Sequence, residues 1–546
     1  MNIHLDDLLD DPLDFFLIRL WSYLTYKDII QISMIKRDSR LKCHNLCNHK
    51  HTVPISLNNN SELINDIDFN YVDMFTNILK VFPIVKILTM RPSSVDLAYC
   101  FSESFSSHYN NPQFQKHLTC LSARYKNDVD LMGIDKLVNL TYLDISTSKG
   151  VTGHDSALYF SNMKNLKDIN LSNCMNLIDD FVIAIICSES SYKLLSLRLR
   201  DCRGVSDRSL CYFHKFKQLQ ILNLSNCPQI NDESIGYLQT LITLTDLNIS
   251  NCYRITDVGL NFLSLLTNLE ILDIEKVIGI SDIGTNQLSS LVKLKDLNIS
   301  KCKDLTDIGL QFLACLTNLE YLYMSELGRI KGEGLSNLCN SNKIKILNLE
   351  RCDSLKLFEL GYLTSNNVMI HLDLSNCYSL SNLSSLGFLV KLKYLNLQNC
   401  HKNVKNEFIK LSSLVNLRDL TLGNCQISSD TIMHLLMNYL CLTYLVLDGC
   451  ENIDDNTLHY ISLYSTRLAM LSLKGCSTIT DNGLIYLKSL PKLIYLNISK
   501  CNKITSAGII SFSDKNKDSF DLLFDDCELI KERDKRLIKR MFGKEV

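Results

Sequence analysis

The sequence has almost no net charge: 57 Lys and Arg residues stand against 59 Asp and Glu, a formal charge of -2 over 546 residues. Without a broad cationic field there is no electrostatic basis for gripping a nucleic-acid backbone. No apolar run is long enough to span a bilayer, and no apolar secretion signal opens the chain. Phosphate-cradling and dinucleotide-binding glycine loops are missing as well. His371, His401, His434 and His459 lie in different local settings, and no nucleophile, base and orienting acid can be grouped around any of them. The expectation is a non-enzymatic, cofactor-free intracellular protein with reduced thiols, bound to neither membrane nor nucleic acid.

What the chain does have is cysteine at a nearly fixed interval. Of 22 cysteines, 13 fall in one series: Cys174, Cys202, Cys227, Cys252, Cys302, Cys352, Cys377, Cys400, Cys425, Cys450, Cys476, Cys501 and Cys527. Ser148, Val277 and Leu327 fill the remaining places, giving 16 positions separated by 23 to 28 residues, usually 25. One such unit cannot bury its own apolar face, so neighbouring units must stack into a continuous core. A 62.4 kDa chain exceeds ordinary single-core size, but a repeat array extends by adding neighbour contacts.

Around Cys252 the chain reads LTDLNISNCYRITDVGLNFLSLLTNLE. Leu244, Leu247 and Ile249 stand 8, 5 and 3 residues before the cysteine. The last two form the period-two pair of a short buried strand. The offsets return in Leu219, Leu222 and Leu224 before Cys227, and in Leu294, Leu297 and Ile299 before Cys302. After the cysteine, Ile255, Leu260, Leu263 and Leu266 recur at helical spacing, and Thr256 is placed to cap a helix beginning near Asp257. Ser206-Asp207, Ser281-Asp282, Thr306-Asp307 and Thr480-Asp481 repeat that start. Gly236, Gly259, Gly284, Gly309, Gly334 and Gly483 fall inside these covering segments, where the missing Cβ permits close approach of adjacent coils. The repeated cysteine reads as a packing residue that fills a small gap and offers its S–H to a turn carbonyl.

The L-x-x-L-x-L-x-x-C run followed by Thr-Asp, quoted in LTDLNISNCYRITDVGL and LKDLNISKCKDLTDIGL, resembles the cysteine-containing subclass of leucine-rich repeats over residues 137–527. The resemblance implies an α/β fold, a right-handed leucine-rich-repeat solenoid (horseshoe) with strands inside and helices outside. Ser148, Val277 and Leu327 depart from the cysteine, and the spacing shifts around Cys202 and Cys400. A short ending, 528–546, mixes Lys531, Arg533, Lys535 and Arg536 with Glu532 and Asp534, the composition of a helical cap or tail.

Ahead of the array, residues 1–50 carry PLDFFLIRLWSYLTYKDIIQISMIKRDSRL, two or three compact helices by apolar spacing. Taken alone the segment reads as an N-terminal cap. Attached to this repeat subclass it resembles an F-box over residues 9–48, in Leu17, Leu20 to Leu24, Asp28-Ile29 and Ser33 through Leu41. Pro12-Leu13 stands where that family presents Leu-Pro, and Ser39 lies near its downstream tryptophan. The resemblance implies docking of a Skp-type adaptor through Phe16, Leu17, Leu20, Trp21, Leu24 and Ile29, joining a cullin-RING ubiquitin ligase while the repeats recruit a protein substrate. The alternative is a stand-alone recognition scaffold. Cys43, His44, Cys47, His49 and His51 supply ligand types for zinc, but the span is too short and lacks a second remote pair, so no metal is expected. Residues 51–136 read as linker and degenerate leading repeats, with strands expected at Val85–Met90 and Leu118–Ala123.

Side chains 6, 4 and 2 residues before each register position alternate away from the helices. Arg198 and Arg200 form a basic pair there, followed by Asp246, Asp273 and Glu275. Tyr321, Tyr323, His371, Tyr394, Tyr444 and Tyr495 make an aromatic path, residues that combine apolar contact with hydrogen bonding. These eleven are the candidate substrate contacts. Asn223, Asn248, Asn298, Asn348, Asn396 and Asn497 form a further polar series, open to substrate amides or to water. Residue choice heavy in Asn, Lys and Ile is compatible with a bacterial or viral gene acting in a eukaryotic host. The F-box resemblance implies eukaryotic cytoplasm or nucleus, reached by secretion if the source is a bacterium, and a monomer outside the complex.

Overall fold

The computed structural model describes strands at 54–56 and 87–90 and then residues 108–541, interrupted at 126–130, 149, 154–156, 161–162, 189, 340–342, 357–362, 364–365, 381, 401–406 and 513–519. The F-box-like segment, with Phe16, Leu17, Leu20, Trp21, Leu24 and Ile29, lies outside the described residues, as does the Cys43–His51 cluster. The chain divides into two compact units, Met1–Leu269 and Glu270–Val546.

Within the first unit every strand is parallel to the next. Pro54–Ser56 pairs with Ile87–Met90 and that with Cys120–Ala123. Tyr142–Asp144, Asp168–Asn170, Ser196–Arg198, Ile221–Asn223 and Asp246–Asn248 follow in order. The two expected leading strands are thus present in shortened form, and Pro54–Ser56 adds one that the sequence did not suggest. The second unit shows the same pattern, its described residues forming eleven strands of three residues in parallel succession from Ile271–Asp273 through Asp521–Leu523. Each unit thus has the leucine-rich-repeat solenoid architecture: short parallel strands in an open sheet, each joined to the next by a covering segment.

Register follows from burial. Each strand centres on one apolar residue, and these pair in line, Leu222 with Leu247 and Leu297 with Leu322. A slip of one residue would turn that ladder out of the core. Leu222, Leu224, Leu247, Ile249, Leu297 and Ile299 are all fully buried, as the period-two spacing requires.

The covering helices begin where the Ser/Thr-Asp pairs stand. Thr256, Ser281, Thr306 and Thr480 cap the seven-residue helices Asp257–Leu263, Asp282–Leu288, Asp307–Leu313 and Asp481–Leu487, each hydroxyl accepting from the N–H two residues on. Several coils depart from this form, among them two in the second unit. Ser384–Phe388 and Phe408–Ser413 are 3-10 turns. The first belongs to the 23-residue coil between Cys377 and Cys400, and a 3-10 turn covers more length per residue than an α-helix. Past the last strand, helix Glu532–Met541 buries Ile538.

One backbone feature recurs that the cysteine spacing alone does not announce. The residue just before the register position is left-handed in coil after coil: φ is +59° at Asn226, +60° at Asn251, +61° at Asn376 and +62° at Asn399. Gly449 and Gly475 occupy the same place with φ of +65° and +74°. Asparagine is the side chain that best tolerates this region, which explains the repeated Asn-Cys pair.

Candidate protein-recognition surface

The register thiols hold the strand exits in place. The Sγ of Cys227 donates to the Leu199 carbonyl of the preceding coil at 3.2 Å, and Cys252, Cys377 and Cys501 do the same to Leu224, Leu349 and Leu473 at 3.2, 3.1 and 3.2 Å. The Leu349 carbonyl also accepts the N–H of Cys352 at 3.2 Å, so both of its lone pairs are used. The acceptor is therefore a strand-end carbonyl of the neighbouring coil. Burial pushes the thiols of Cys252, Cys302 and Cys352 up to about 12. A thiol held protonated in this way is a poor nucleophile. All 13 register cysteines are buried and free, with no disulfide among the described residues.

The face opposite the helices carries the residues singled out by the alternation, half-buried except for the exposed Arg200. In the first unit this face is less available than the sequence suggests. Arg198 is ion-paired with Asp168 of the preceding coil at 2.7 Å, and Arg200 leans on Asp201 at 3.1 Å. The expected basic pair is thus compensated by carboxylates from both directions. Asp246 feels Arg198 as well, yet burial dominates and its carboxyl lies above the usual range.

In the second unit Glu275 is bound to Lys301 at 2.5 Å, and the Oδ1 of Asp273 accepts the Glu275 N–H at 3.0 Å. These two carboxylates serve the coil itself. So do the asparagines: Asn298, Asn396 and Asn497 accept the N–H two residues on at 3.1, 3.0 and 3.0 Å, and Asn223 and Asn248 do likewise at 2.9 and 3.0 Å. Asn348 follows suit to Glu350 at 2.8 Å. Their carbonyl oxygens form Asx turns that steer each strand into its left-handed exit, which removes them as free acceptors for substrate amides. The Asx propensity of Asn followed two residues later by Ser was the available signal.

The aromatic path is brought together. Tyr321, Ile346, His371, Tyr394, Asp419, Tyr444, Met470, Tyr495 and Asp521 are register partners in successive coils, one column of the sheet. Tyr323 lies in the neighbouring column beside Asn298 and Asn348. His371 and Tyr394 stack with ring centroids 3.8 Å apart and planes within 10°. Burial lowers the His371 pKa and raises that of Tyr394 to about 12, the Asp373 carboxylate adding to the latter. Tyr444 and Tyr495 are raised for the same first reason, burial, with Asp448 and Asp521 contributing in turn. Neutral rings half-sunk among carboxylates are suited to contact, and proton transfer at neutral pH is not their chemistry. Among the described residues no group of three or more His, Cys, Asp or Glu is placed to hold a metal ion, and no helix is long and apolar enough to cross a membrane.

No protein-family model matches the chain, and no curated protein matches it. Solved structures do. An internalin from Listeria monocytogenes is similar at 19% identity and a TM-score of 0.45, covering 74% of this chain and 95% of its own. A leucine-rich-repeat protein of Leptospira interrogans is similar at 17% and 0.45, covering 78% and 98%. The Rad7 and Elc1 complex of yeast contains a chain similar at 17% and 0.42, covering 61% of this chain and 82% of its own.

Proposed function

We propose that the chain is a protein-recognition scaffold whose principal contact surface is the aromatic column of the second unit. The observation that carries this reading is the in-line placement of His371, Tyr394, Tyr444 and Tyr495 on the helix-free face, each half-buried and each bordered by a carboxylate. Tyrosine at such a position supplies contact area at little entropic cost and keeps a hydroxyl for a directed hydrogen bond. Within the second unit Tyr321 and Tyr323 extend the contact surface, whereas Asp273 and Glu275 contribute charge while remaining tied to the coils. Affinity capture from a eukaryotic lysate with the intact protein and with Tyr394, Tyr444 and Tyr495 changed together to serine tests this. Loss of a selective partner with the variant supports it, and unchanged recovery of every selective partner overturns it.

A finer reading couples the scaffold to ubiquitin transfer, with a Skp-type adaptor docked on residues 9–48 and a cullin-RING ligase behind it. Its support is the F-box-like run around Leu20, Trp21 and Leu24. On this reading the protein works in eukaryotic cytoplasm or nucleus and is a monomer outside the complex. Co-purification of the adaptor, abolished by Trp21→Asp while the repeats stay folded, is the expected result. Failure of the intact chain to bring down a Skp-type adaptor leaves the stand-alone scaffold.

A further inference from the structure

Resting on the scaffold reading, we infer that the aromatic column takes a peptide segment in polyproline-II form with a cationic side chain, an aliphatic one and a second cationic one at every third position. The first ground is charge. At the three outward positions of the seven coils from Cys377 to Cys527 stand five carboxylates, Asp373, Asp419, Asp448, Asp521 and Asp525, against one ammonium, Lys474. Asp373 accepts from the Ser375 N–H of its own coil and from Asn396 of the next, and Asp448 Oδ1 accepts from the Ser472 hydroxyl and the Lys474 N–H of the next coil. Among the described residues Asp419 accepts a 3.3 Å bond from the Thr443 hydroxyl. Its charge bears on His371, Tyr394 and Tyr444 together.

The second ground is the order of side chains along the column: Tyr394, Asp419, Tyr444, Met470, Tyr495, Asp521. One face of the Tyr394 ring is covered by His371, so the other looks toward the Asp419 coil. A guanidinium or ammonium seated over Asp419 meets a carboxylate below and a tyrosine on either side, an ion pair joined to cation–π contact. Between Tyr444 and Tyr495 the floor is the thioether of Met470, which suits an aliphatic side chain. Beyond Tyr495 comes Asp521, a second seat for a cation.

Spacing selects the conformation of the guest. Successive strands lie roughly 4.8 Å apart, so Asp419, Met470 and Asp521 recur every two coils, about 10 Å. A polyproline-II chain rises about 3.1 Å per residue with three residues per turn, which presents every third side chain to one side at about 9.3 Å. A β-strand guest would present alternate side chains at roughly 6.7 Å and fall out of step after the first seat.

The test is fluorescence anisotropy of the full chain with labelled Arg-Pro-Pro-Leu-Pro-Pro-Arg, alongside the Glu-for-Arg version and the shortened Arg-Pro-Leu-Pro-Arg. Preferential binding of the first, weakening from about 50 to about 300 mM NaCl, is expected. Asp419→Asn should weaken it about fivefold and Met470→Lys more, with the urea unfolding midpoint unchanged as the check on folding. Equal binding of the acidic peptide, or an Asp419→Asn affinity equal to wild type, overturns the inference. If no peptide binds yet the triple tyrosine variant loses a lysate partner, the cationic assignment falls and the scaffold reading stands. If no peptide binds and capture is also unchanged, both fall.

Discussion

Asp282 of one coil and Thr306 of the next are joined twice: the Thr306 N–H donates to Asp282 Oδ1 at 2.8 Å and the Thr306 hydroxyl to Oδ2 at 2.7 Å. Oδ1 also accepts the Gly309 N–H at 3.0 Å. The same carboxylate stands at the first position of its own helix, where it favours the dipole, so one side chain starts a helix and fastens its neighbour. Asp232 grips Thr256 and Gly259 in the same way, and Asp455 grips Thr480.

Asp282→Ala should therefore cost more than the loss of a surface charge. Two backbone N–H groups and a hydroxyl lose a charged acceptor, and about 2 kcal/mol is expected. Asp282→Asn keeps one acceptor oxygen and should recover part of this. Urea midpoints of the two variants against wild type measure the difference.

Gly309→Ala reverses the sign that helix propensity gives. Alanine is favoured in a helix interior by roughly 1 kcal/mol, but a Cβ here would stand 2.5 Å from Asp282 Oδ1 and 2.9 Å from Thr285 Oγ1. The substitution should lower the thermal midpoint. A raised midpoint would show that the two coils part without cost.

Leu247 is fully buried at the centre of its strand, paired in line with Leu222. Leu247→Ala should destabilise by roughly 2–5 kcal/mol, the transfer energy plus the residual cavity. Chemical denaturation gives the value directly, and a near-zero change would contradict the register.

Stability should decline in alkali. The folded chain holds protons on thiols raised to about 12, such as Cys252, Cys302 and Cys352, which the unfolded chain releases near the ordinary thiol pKa of about 8.5. The unfolded state then binds fewer protons, so this contribution is intact below about pH 8.5 and is lost as pH rises toward about 12. Each such thiol adds a slope of up to about 1.4 kcal/mol per pH unit in that window. Urea midpoints at about pH 7.5 and about pH 9.5 in reductant should show the fall. Cys302→Val, the residue that Val277 places naturally at an equivalent site, should make it shallower.

The sequence told most where one side chain does one job. Leu247, Ile249 and Cys252 are buried because spacing leaves them nowhere else, and Thr256 caps the helix its position announces. It told less where a side chain serves two coils. Asp257-type residues read as helix starts, but the grip of Asp232 and Asp282 on the next coil appears only when coils are stacked. The Asp–Gly recurrence, with Gly259 and Gly309 held against the carboxylate of the coil before, was its trace. The polar series of Asn223 through Asn497 was open between partner and solvent, and belongs to the backbone of its own turn. Arg198 read as free because Asp168, 30 residues earlier, is adjacent only in the stack.

Thirteen thiols buried one to a coil also make the protein its own gauge of local opening. Cys187 and Cys315 are exposed and should react with a thiol reagent at once, whereas each register cysteine reacts only when its coil lets go of the carbonyl before it. The order in which modified cysteines appear by mass spectrometry then maps which coils breathe first. Opening beside Leu327, which offers the Ile299 carbonyl no S–H, should be reported early by Cys302 and Cys352.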